Sequence, residues 1–196
     1  VKIVIPAADE SGEYRETYGY IERKSVNIGF LPYTQRNVIK TAFLHLNSPY
    51  GWGGMFGEAD CSMFLNEVFA VFGIWIPRNS ANQSLIGTPL LDLKNKSNES
   101  DKENQICLEG IPGVTFLRLP GHIVLYIGNN GGRVYVIHAT WGYKEKLYGR
   151  DNLRAINRVT VSDLHIGEHS KKGSLLKRIN RGVMIIPADR SEPDGK

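Results

Sequence analysis

The sequence has few cysteines and no long apolar run. Its 196 residues contain only two cysteines, Cys61 and Cys107, which are too few for a disulfide framework. No segment approaches the roughly 18 consecutive apolar residues that a membrane-spanning helix needs. We therefore expect neither a disulfide scaffold nor a membrane span, although one Cys61–Cys107 bridge in an exported protein stays open as an alternative.

The start of the given sequence does not resemble a leader segment. The first residue is Val1 rather than Met, and no basic segment followed by an apolar one stands at the start. We therefore expect that the chain is either processed or cut from a longer protein.

What is present is the composition of an ordinary globular protein. Hydrophobic residues make up 41% and charged residues 22% of the chain, whose length suits one main domain and a small appendage. The net charge of +4 favours acidic partners. By charge alone, an anionic cell-wall polymer fits as well as nucleic acid.

The most informative stretch runs from Tyr50 to Leu65. Its glycines predict an open loop, and from Ser62 onward apolar residues recur at helical spacing. Cys61 therefore falls in the first turn of a buried helix. Unpaired backbone N–H groups and the helix dipole at that place favour the thiolate, which makes Cys61 a candidate nucleophile.

Local patterns predict the elements around this stretch. Residues 1–33 are expected to hold two or three strands of an incomplete β module, and residues 34–196 the main domain. A helix is predicted from Gln35 to Leu46 with Thr34 as its N-cap, and a helical turn from Ser174 to Arg178.

The second half of the chain is predicted to form an antiparallel sheet. Its strands are Gly113 to Leu119, Ile123 to Ile127 and Val134 to Ile137, followed by a last strand near the end, at residues 182–186. The polar segment from Leu93 to Gln105 is expected to be an exposed insertion.

Two further expectations concern the end of the main domain. The charged segment from Gly142 to Arg158 is expected to be a loop, and the residues after Ile186 a polar tail.

Two histidines lie at facing ends of a predicted hairpin. If the turn at Asn130-Gly131 pairs the strands, His122 stands directly opposite His138, with about 5 Å between their Cβ atoms. Strand alternation also places both histidines on one face of the sheet. A cysteine at a helix start, a histidine that accepts its proton and a second group that orients the histidine form the geometry of thiol acyl transfer.

The same three residues could instead bind zinc. Metal sites usually include a close pair of ligands along the chain, and none of Cys61, His122 and His138 belongs to such a pair. We therefore expect no metal and no cofactor.

The remaining histidines and tryptophans have simpler interpretations. We expect His45 to be structural, and His165 and His169 to be solvated. Trp75 is expected in the core.

Several spaced motifs together resemble the NlpC-type papain-like cell-wall peptidases of bacteria. The motifs are Tyr50-Gly-Trp-Gly-Gly, Asp60-Cys61-Ser62, Ile76-Pro-Arg-Asn-Ser-Ala-Asn-Gln83, Gly121-His122 leading into Leu125-Tyr-Ile-Gly128, and His138-Ala139. The resemblance covers roughly Gln35 to Thr140, over half the chain, and the motifs occur in the order that the family has. The resemblance implies an α+β fold in which a helical layer packs on an antiparallel sheet, preceded at residues 1–33 by the end of an SH3-like barrel.

The resemblance also implies a reaction. It is hydrolysis of peptidoglycan stem peptides, typically between γ-D-glutamate and a diamino acid such as diaminopimelate. Cys61 would be the nucleophile, His122 the general base and then acid, and His138 the residue that orients His122. An exported enzyme of the periplasm or cell envelope would follow, monomeric and without a nucleic acid partner.

Substrate contacts are implied in the same way. Tyr50 lies where the family places a tyrosine near the active site, and Asp60, Ser62 and Arg78 lie where it contacts the stem peptide. Asp60 could then balance the charge of the ammonium group on the stem's L-alanine.

Two tryptophans next to candidate catalytic residues, Trp52 and Trp141, are predicted to form a wall of the cleft.

Two other classes of function remain open. A non-catalytic wall-binding module would keep the cleft without the reaction, although the complete Cys61, His122 and His138 set argues against it. A related acyl or amide transferase would use the same residues and pass the acyl group to an amine instead of water.

Overall fold

The computed structural model describes residues 1–93 and 98–186. Part of the predicted insertion and the predicted polar tail lie outside the described residues. The chain divides into two compact units, the first being Val1–Leu31 and the second beginning at Pro32.

The first unit is a strand pair. Strand β1 (Lys2–Ala8) runs antiparallel to β2 (Tyr14–Tyr20), and a short 3-10 turn follows at Arg23–Ser25. The Asp9 carboxylate closes the connection by accepting hydrogen bonds from the backbone of Ser11 and Glu13. None of the side chains of this unit is buried, as expected for two strands that enclose no core. The SH3-like assignment of residues 1–33 stays a prediction.

The described part of the second unit contains five α-helices. They are α1 (Gln35–Leu44), α2 (Cys61–Ala70), α3 (Ser80–Gln83), α4 (Glu99–Glu109) and α5 (Leu175–Arg178). The predicted N-cap of α1 is confirmed, since the Thr34 hydroxyl accepts a hydrogen bond from the backbone of Asn37. Within the described ranges, no helix has both the length and the apolar character to cross a membrane.

In residues 32–93 and 98–186, a six-stranded sheet supports these helices. Its strands are β3 (Thr88–Asp92), β4 (Thr115–Leu119), β5 (His122–Asn130), β6 (Arg133–Leu147), β7 (Arg150–Asp163) and β8 (Arg181–Met184). Their order is β3-β8-β4-β5-β6-β7, and all neighbouring pairs are antiparallel. The predicted class of helices packed on an antiparallel sheet is confirmed.

The prediction of a loop from Gly142 to Arg158 is wrong. This segment supplies the second half of β6 and the first half of β7, joined by a two-residue turn at Tyr148-Gly149. Both turn residues have positive φ, 51° and 78°, as tight hairpin turns require. Most side chains of this hairpin are partly or fully exposed on both faces, so no apolar alternation marks the strands.

The prediction of an exposed insertion from Leu93 to Gln105 is also wrong. Leu93 is fully buried, and helix α4 begins at Glu99, capped by the Asn98 side chain. The Lys102 ammonium lies almost buried and donates to the backbone carbonyls of Lys177 and Ile179. The polar segment therefore contains a packed helix. Its Lys102 can be buried because the ammonium group satisfies backbone carbonyls at the end of α5.

Helix α2 is held on the sheet by aromatic packing. Phe69 is fully buried and meets Phe116 of β4 edge to face, with 5.0 Å between ring centroids. Tyr33 packs on Phe69 from the other side, at 5.9 Å. The expectation that Trp75 lies in the core is wrong, since its side chain is 80% exposed beyond the end of α2.

Replacing Phe69 with alanine tests this packing. We expect Phe69→Ala to lower the free energy of unfolding by about 3–5 kcal/mol, because it empties a fully enclosed site. Phe43→Ala on the surface of α1, where the side chain is 42% exposed, should cost less than about 1 kcal/mol. Urea denaturation of both variants measures the difference, and equal losses would show that Phe69 does not anchor α2.

Candidate functional site

The glycine loop is closed at both ends beside the start of α2. Tyr50 forms a bridge with Ala59, and the Tyr50 backbone donates to the carbonyl of Asn157 on β7. Gly51 is required here, because a Cβ atom would lie 2.5 Å from the carbonyl oxygens of Met55 and Glu58. The closed loop thereby brings Tyr50 next to the helix that begins at Cys61.

Asp60 caps that helix. Its Oδ1 accepts hydrogen bonds from the backbones of Ser62 and Met63 at 3.1 and 2.9 Å. Cys61 is thereby the first residue of α2, as predicted, and its side chain is buried. The backbone N–H groups of Ile123, Ser62 and Cys61 itself face the sulfur.

The expectation that this position favours a thiolate is wrong for the resting site. Burial raises the pKa of the Cys61 thiol above its ordinary value of 9.0, and the neighbouring Asp60 carboxylate adds to the rise. The facing N–H groups lower the pKa, but burial and Asp60 together raise it by more. The thiol therefore rests protonated at neutral pH.

His122 and His138 meet as predicted, but through a different register. The turn lies at Gly131-Gly132, and a bulge follows Tyr126, so that Leu125 pairs with Ile137. His122 is consequently diagonal to His138 rather than opposite. Their rings still touch, with 2.7 Å between His122 Nε2 and His138 Nδ1.

A serine that the sequence analysis did not identify extends this contact. Ser162 lies on β7, and its Oγ is 3.1 Å from Nε2 of His138. The ring of His138 is thus held at both nitrogens. The position of Ser162 near His138 follows from the pairing register of β6 with β7. The sequence analysis did not predict this pairing, because it assigned residues 142–158 to a loop.

Both histidines rest neutral. Burial lowers the pKa of His122 to about 4, and the positive charges of Arg178 and Lys172 act in the same direction. Burial also holds the pKa of His138 well below its ordinary value, and His122 adds to that effect. His122 is not fully buried and lines the cleft, so it can still exchange a proton with a bound molecule.

A second polar cluster lies around Asp60. Arg78 donates to both oxygens of Asp60 at 3.0 and 2.8 Å, and to the hydroxyl of Ser62 at 3.0 Å. Burial works against the charge of Asp60, but the hydrogen bonds from Arg78, Met63 and Ser62 outweigh it and hold its pKa below 3.8. The predicted contact residues Asp60, Ser62 and Arg78 therefore form one charged group beside Cys61.

Two amides hold the segment that carries Arg78. Gln83 is fully buried and its Nε2 donates to the carbonyls of Ser62 and Pro77, each at 2.8 Å. Asn66 donates to the same two carbonyls. Gln83 is the last residue of the motif that begins at Ile76, but its hydrogen bonds to this segment become visible only in the fold.

Aromatic side chains surround the opening. Tyr50, Trp52 and Trp141 line a cleft that also contains His122. Burial raises the pKa of Tyr50 to about 12, so its hydroxyl stays protonated and can donate a hydrogen bond. The structure thus brings the three predicted aromatic residues to the cleft.

The remaining histidines and Cys107 do not line this cleft. His165 is not solvated as predicted, because its Nε2 lies 2.8 Å from the Glu103 carboxylate. Although His165 and His169 have the spacing His-x-x-x-His, they lie in a turn and not on one helical face. In the described part of the chain, no cluster of three or more potential ligands could hold a metal. Cys61 and Cys107 are separate thiols.

Comparisons with known proteins agree on one family. The model of the NlpC/P60 family matches residues 47–147. The gamma-D-glutamyl-L-lysine dipeptidyl-peptidase of Bacillus subtilis (strain 168) is 33% identical over 95 residues, which cover 44% of this chain. The aligned part spans only 32% of that relative's length.

Solved structures show the same fold. An NlpC/P60 endopeptidase from Photobacterium damselae subsp. piscicida has a TM-score of 0.74 at 21% identity, covering 93% of this chain and 46% of that one. An NlpC/P60 family protein from Bacillus cereus ATCC 10987 has a TM-score of 0.52 at 20% identity, covering 94% and 51%. This chain therefore spans about half the length of each.

The neutral histidines predict a loss of stability in acid. His122 binds a proton more readily in the unfolded chain (pKa 6.5) than in the fold (about 4), so its contribution is present above pH 6.5 and is lost as the pH falls. At pH 5 the loss should be about 2 kcal/mol. Urea denaturation at pH 7.5 and pH 5 measures the fall in the free energy of unfolding. This fall should be about 2 kcal/mol smaller in His122→Gln than in the wild type. Exposed His169 gives the control, and if His169→Gln reduced the loss equally, burial of His122 would not be its cause.

Proposed function

The chain belongs to the NlpC/P60 family, and from this we propose that it is a cysteine endopeptidase that hydrolyses peptidoglycan stem peptides. The observation that carries the proposal is the alignment of His122 and His138, with 2.7 Å between their rings, beside the helix that begins at Cys61. We propose the γ-D-glutamyl bond as the one cleaved, since the Bacillus subtilis relative is named for it. Action on peptidoglycan would place the protein in the cell envelope.

In the proposed reaction, His122 takes the proton of the Cys61 thiol as the sulfur attacks the stem-peptide carbonyl. A neutral His122 with its proton on Nε2 donates to Nδ1 of His138, whose own Nε2 proton then points at the Ser162 hydroxyl. This arrangement leaves Nδ1 of His122 free to accept the thiol proton. Ser162 would thus fix the tautomer of His138.

The later steps return the site to its resting state. His122 gives its proton to the leaving amine, the peptide bond breaks, and a thioester remains on Cys61. Water then attacks the thioester while His122 takes its proton, and the freed thiol recovers the proton. The backbone N–H of Cys61 and the protonated Tyr50 hydroxyl are the proposed donors to the carbonyl oxygen during both attacks.

Removing the nucleophile tests the reaction. On the synthetic peptide L-Ala-γ-D-Glu-diaminopimelate, Cys61→Ala should lower the cleavage rate by about 10⁴-fold or more, while Cys107→Ala keeps it. Mass spectrometry of the products identifies the bond. Transfer of the acyl group to an added amine would indicate a transferase, and binding without cleavage by the wild type would indicate a wall-binding module.

Asp60 is proposed to recognise the ammonium group at the start of the stem. Among the described residues its Oδ2 accepts only from Arg78, which leaves room for a further donor. Asn is also a good N-cap, so Asp60→Asn removes the charge with little effect on the helix start.

The free amine of the substrate provides the test. Acetylation of the peptide's N-terminus should lower kcat/KM of the wild type about tenfold or more, because it removes a charged partner of Asp60. In Asp60→Asn the free and acetylated peptides should be cleaved at similar rates. A wild type that cleaves both equally would contradict the role of Asp60.

A further inference from the structure

A cleft of about 390 Å³ beside His122 is lined by positive charges. Three cations contribute to its walls: Lys144 on β6, Lys172 just before α5, and Arg178 at the end of α5. Among the described residues, no Asp or Glu lines it. Its volume lies in the range of small-ligand sites. The cleft can therefore accommodate an anionic group of modest size.

Arg178 is the most constrained of these cations. It is half-buried, and burial lowers its pKa. Within residues 1–93 and 98–186, its guanidinium has neither a hydrogen bond nor an ion pair. Removing water from a guanidinium group costs free energy unless a carboxylate or another anion replaces the water. Arg178 is therefore suited to bind an anion from solution.

The three cations also repel one another. The charge of Arg178 lowers the pKa of Lys172, and Lys144 adds to that effect. Arg178 and Lys172 lower the pKa of His122 as well, which places them close to the candidate catalytic histidine. A bound carboxylate would relieve this repulsion.

The direction of the proposed reaction identifies the residue that enters the cleft. His122 gives its proton to the leaving amine, so the residue after the cleaved bond must lie on the His122 side. Asp60, the proposed ligand of the stem's first residue, and its partner Arg78 do not line this cleft. The leaving diamino acid therefore occupies it.

Resting on the proposed function, we propose that Arg178 and Lys172 bind a carboxylate of the leaving diamino acid, which makes the enzyme prefer a residue of the diaminopimelate type over lysine. Diaminopimelate differs from lysine by a carboxylate at the end of its side chain. In a tripeptide the residue also has a terminal carboxylate, which offers the same chemistry. The experiment separates the two carboxylates.

Three peptides and two double variants form the test. L-Ala-γ-D-Glu-diaminopimelate is compared with the same peptide ending in lysine and with its terminal carboxamide. We expect kcat/KM of the wild type to favour diaminopimelate over lysine about tenfold or more, and Lys172→Gln with Arg178→Gln to bring the ratio near one. If only the terminal carboxamide is cleaved more slowly, the terminal carboxylate is the bound group.

Two neighbouring lysines give a matched control. Lys171 and Lys177 are exposed and do not line the cleft, so Lys171→Gln with Lys177→Gln makes the same change in net charge and should keep the ratio. Arg178→Lys retains the charge and should keep most of the preference. If the double cleft variant fails to fold, Lys172→Gln alone, at an exposed position, should still reduce the ratio.

Two outcomes would overturn the inference. A wild type that cleaves all three peptides equally has no carboxylate subsite, and a ratio that survives the double variant places the subsite elsewhere. If the wild type cleaves no peptide, the proposed function fails, and calorimetry of Cys61→Ala with free diaminopimelate and with lysine then decides the subsite. A preference for diaminopimelate that the cleft variants abolish would support it, and equal or absent binding would overturn it.

Discussion

The carboxylate of Asp60 is the group on which the rest of the site depends. It begins the helix that carries Cys61, and it receives both arms of the Arg78 guanidinium. Burial alone would raise its pKa, and the donors around it hold that pKa below the ordinary value. The helix start, the place of the sulfur and the segment from Pro77 to Gln83 are therefore coupled through one side chain.

Three adjacent strands supply the rest of the arrangement. His122, His138 and Ser162 lie on β5, β6 and β7, and their hydrogen bonds cross the sheet in line. Burial keeps both imidazoles and the thiol neutral, so charge would separate only when a substrate carbonyl receives the sulfur.

The sequence predicted the parts of the fold whose patterns are local. The Thr34 cap, the helix that begins at Cys61 and the meeting of His122 with His138 follow from capping, periodicity and strand alternation. The long β6–β7 hairpin and helix α4 were missed, since exposed strands show no apolar alternation and a buried Lys102 resembles a solvated one. Ser162 depends on strand register, and the pKa of Cys61 on burial, and neither is visible in a motif.

Strand β6 carries two parts of the site on one continuous backbone. His138 lies in its buried half, whereas Trp141, in the bulge between Thr140 and Gly142, and Lys144, beyond that bulge, line the cleft. Inserting or deleting one residue between His138 and Lys144 would shift the pairing of every later residue of β6 with β7, and so displace Lys144 from the cleft wall while leaving the histidine in place. Divergence of specificity among relatives with this hairpin should therefore proceed by substitution, with the spacing of this segment preserved.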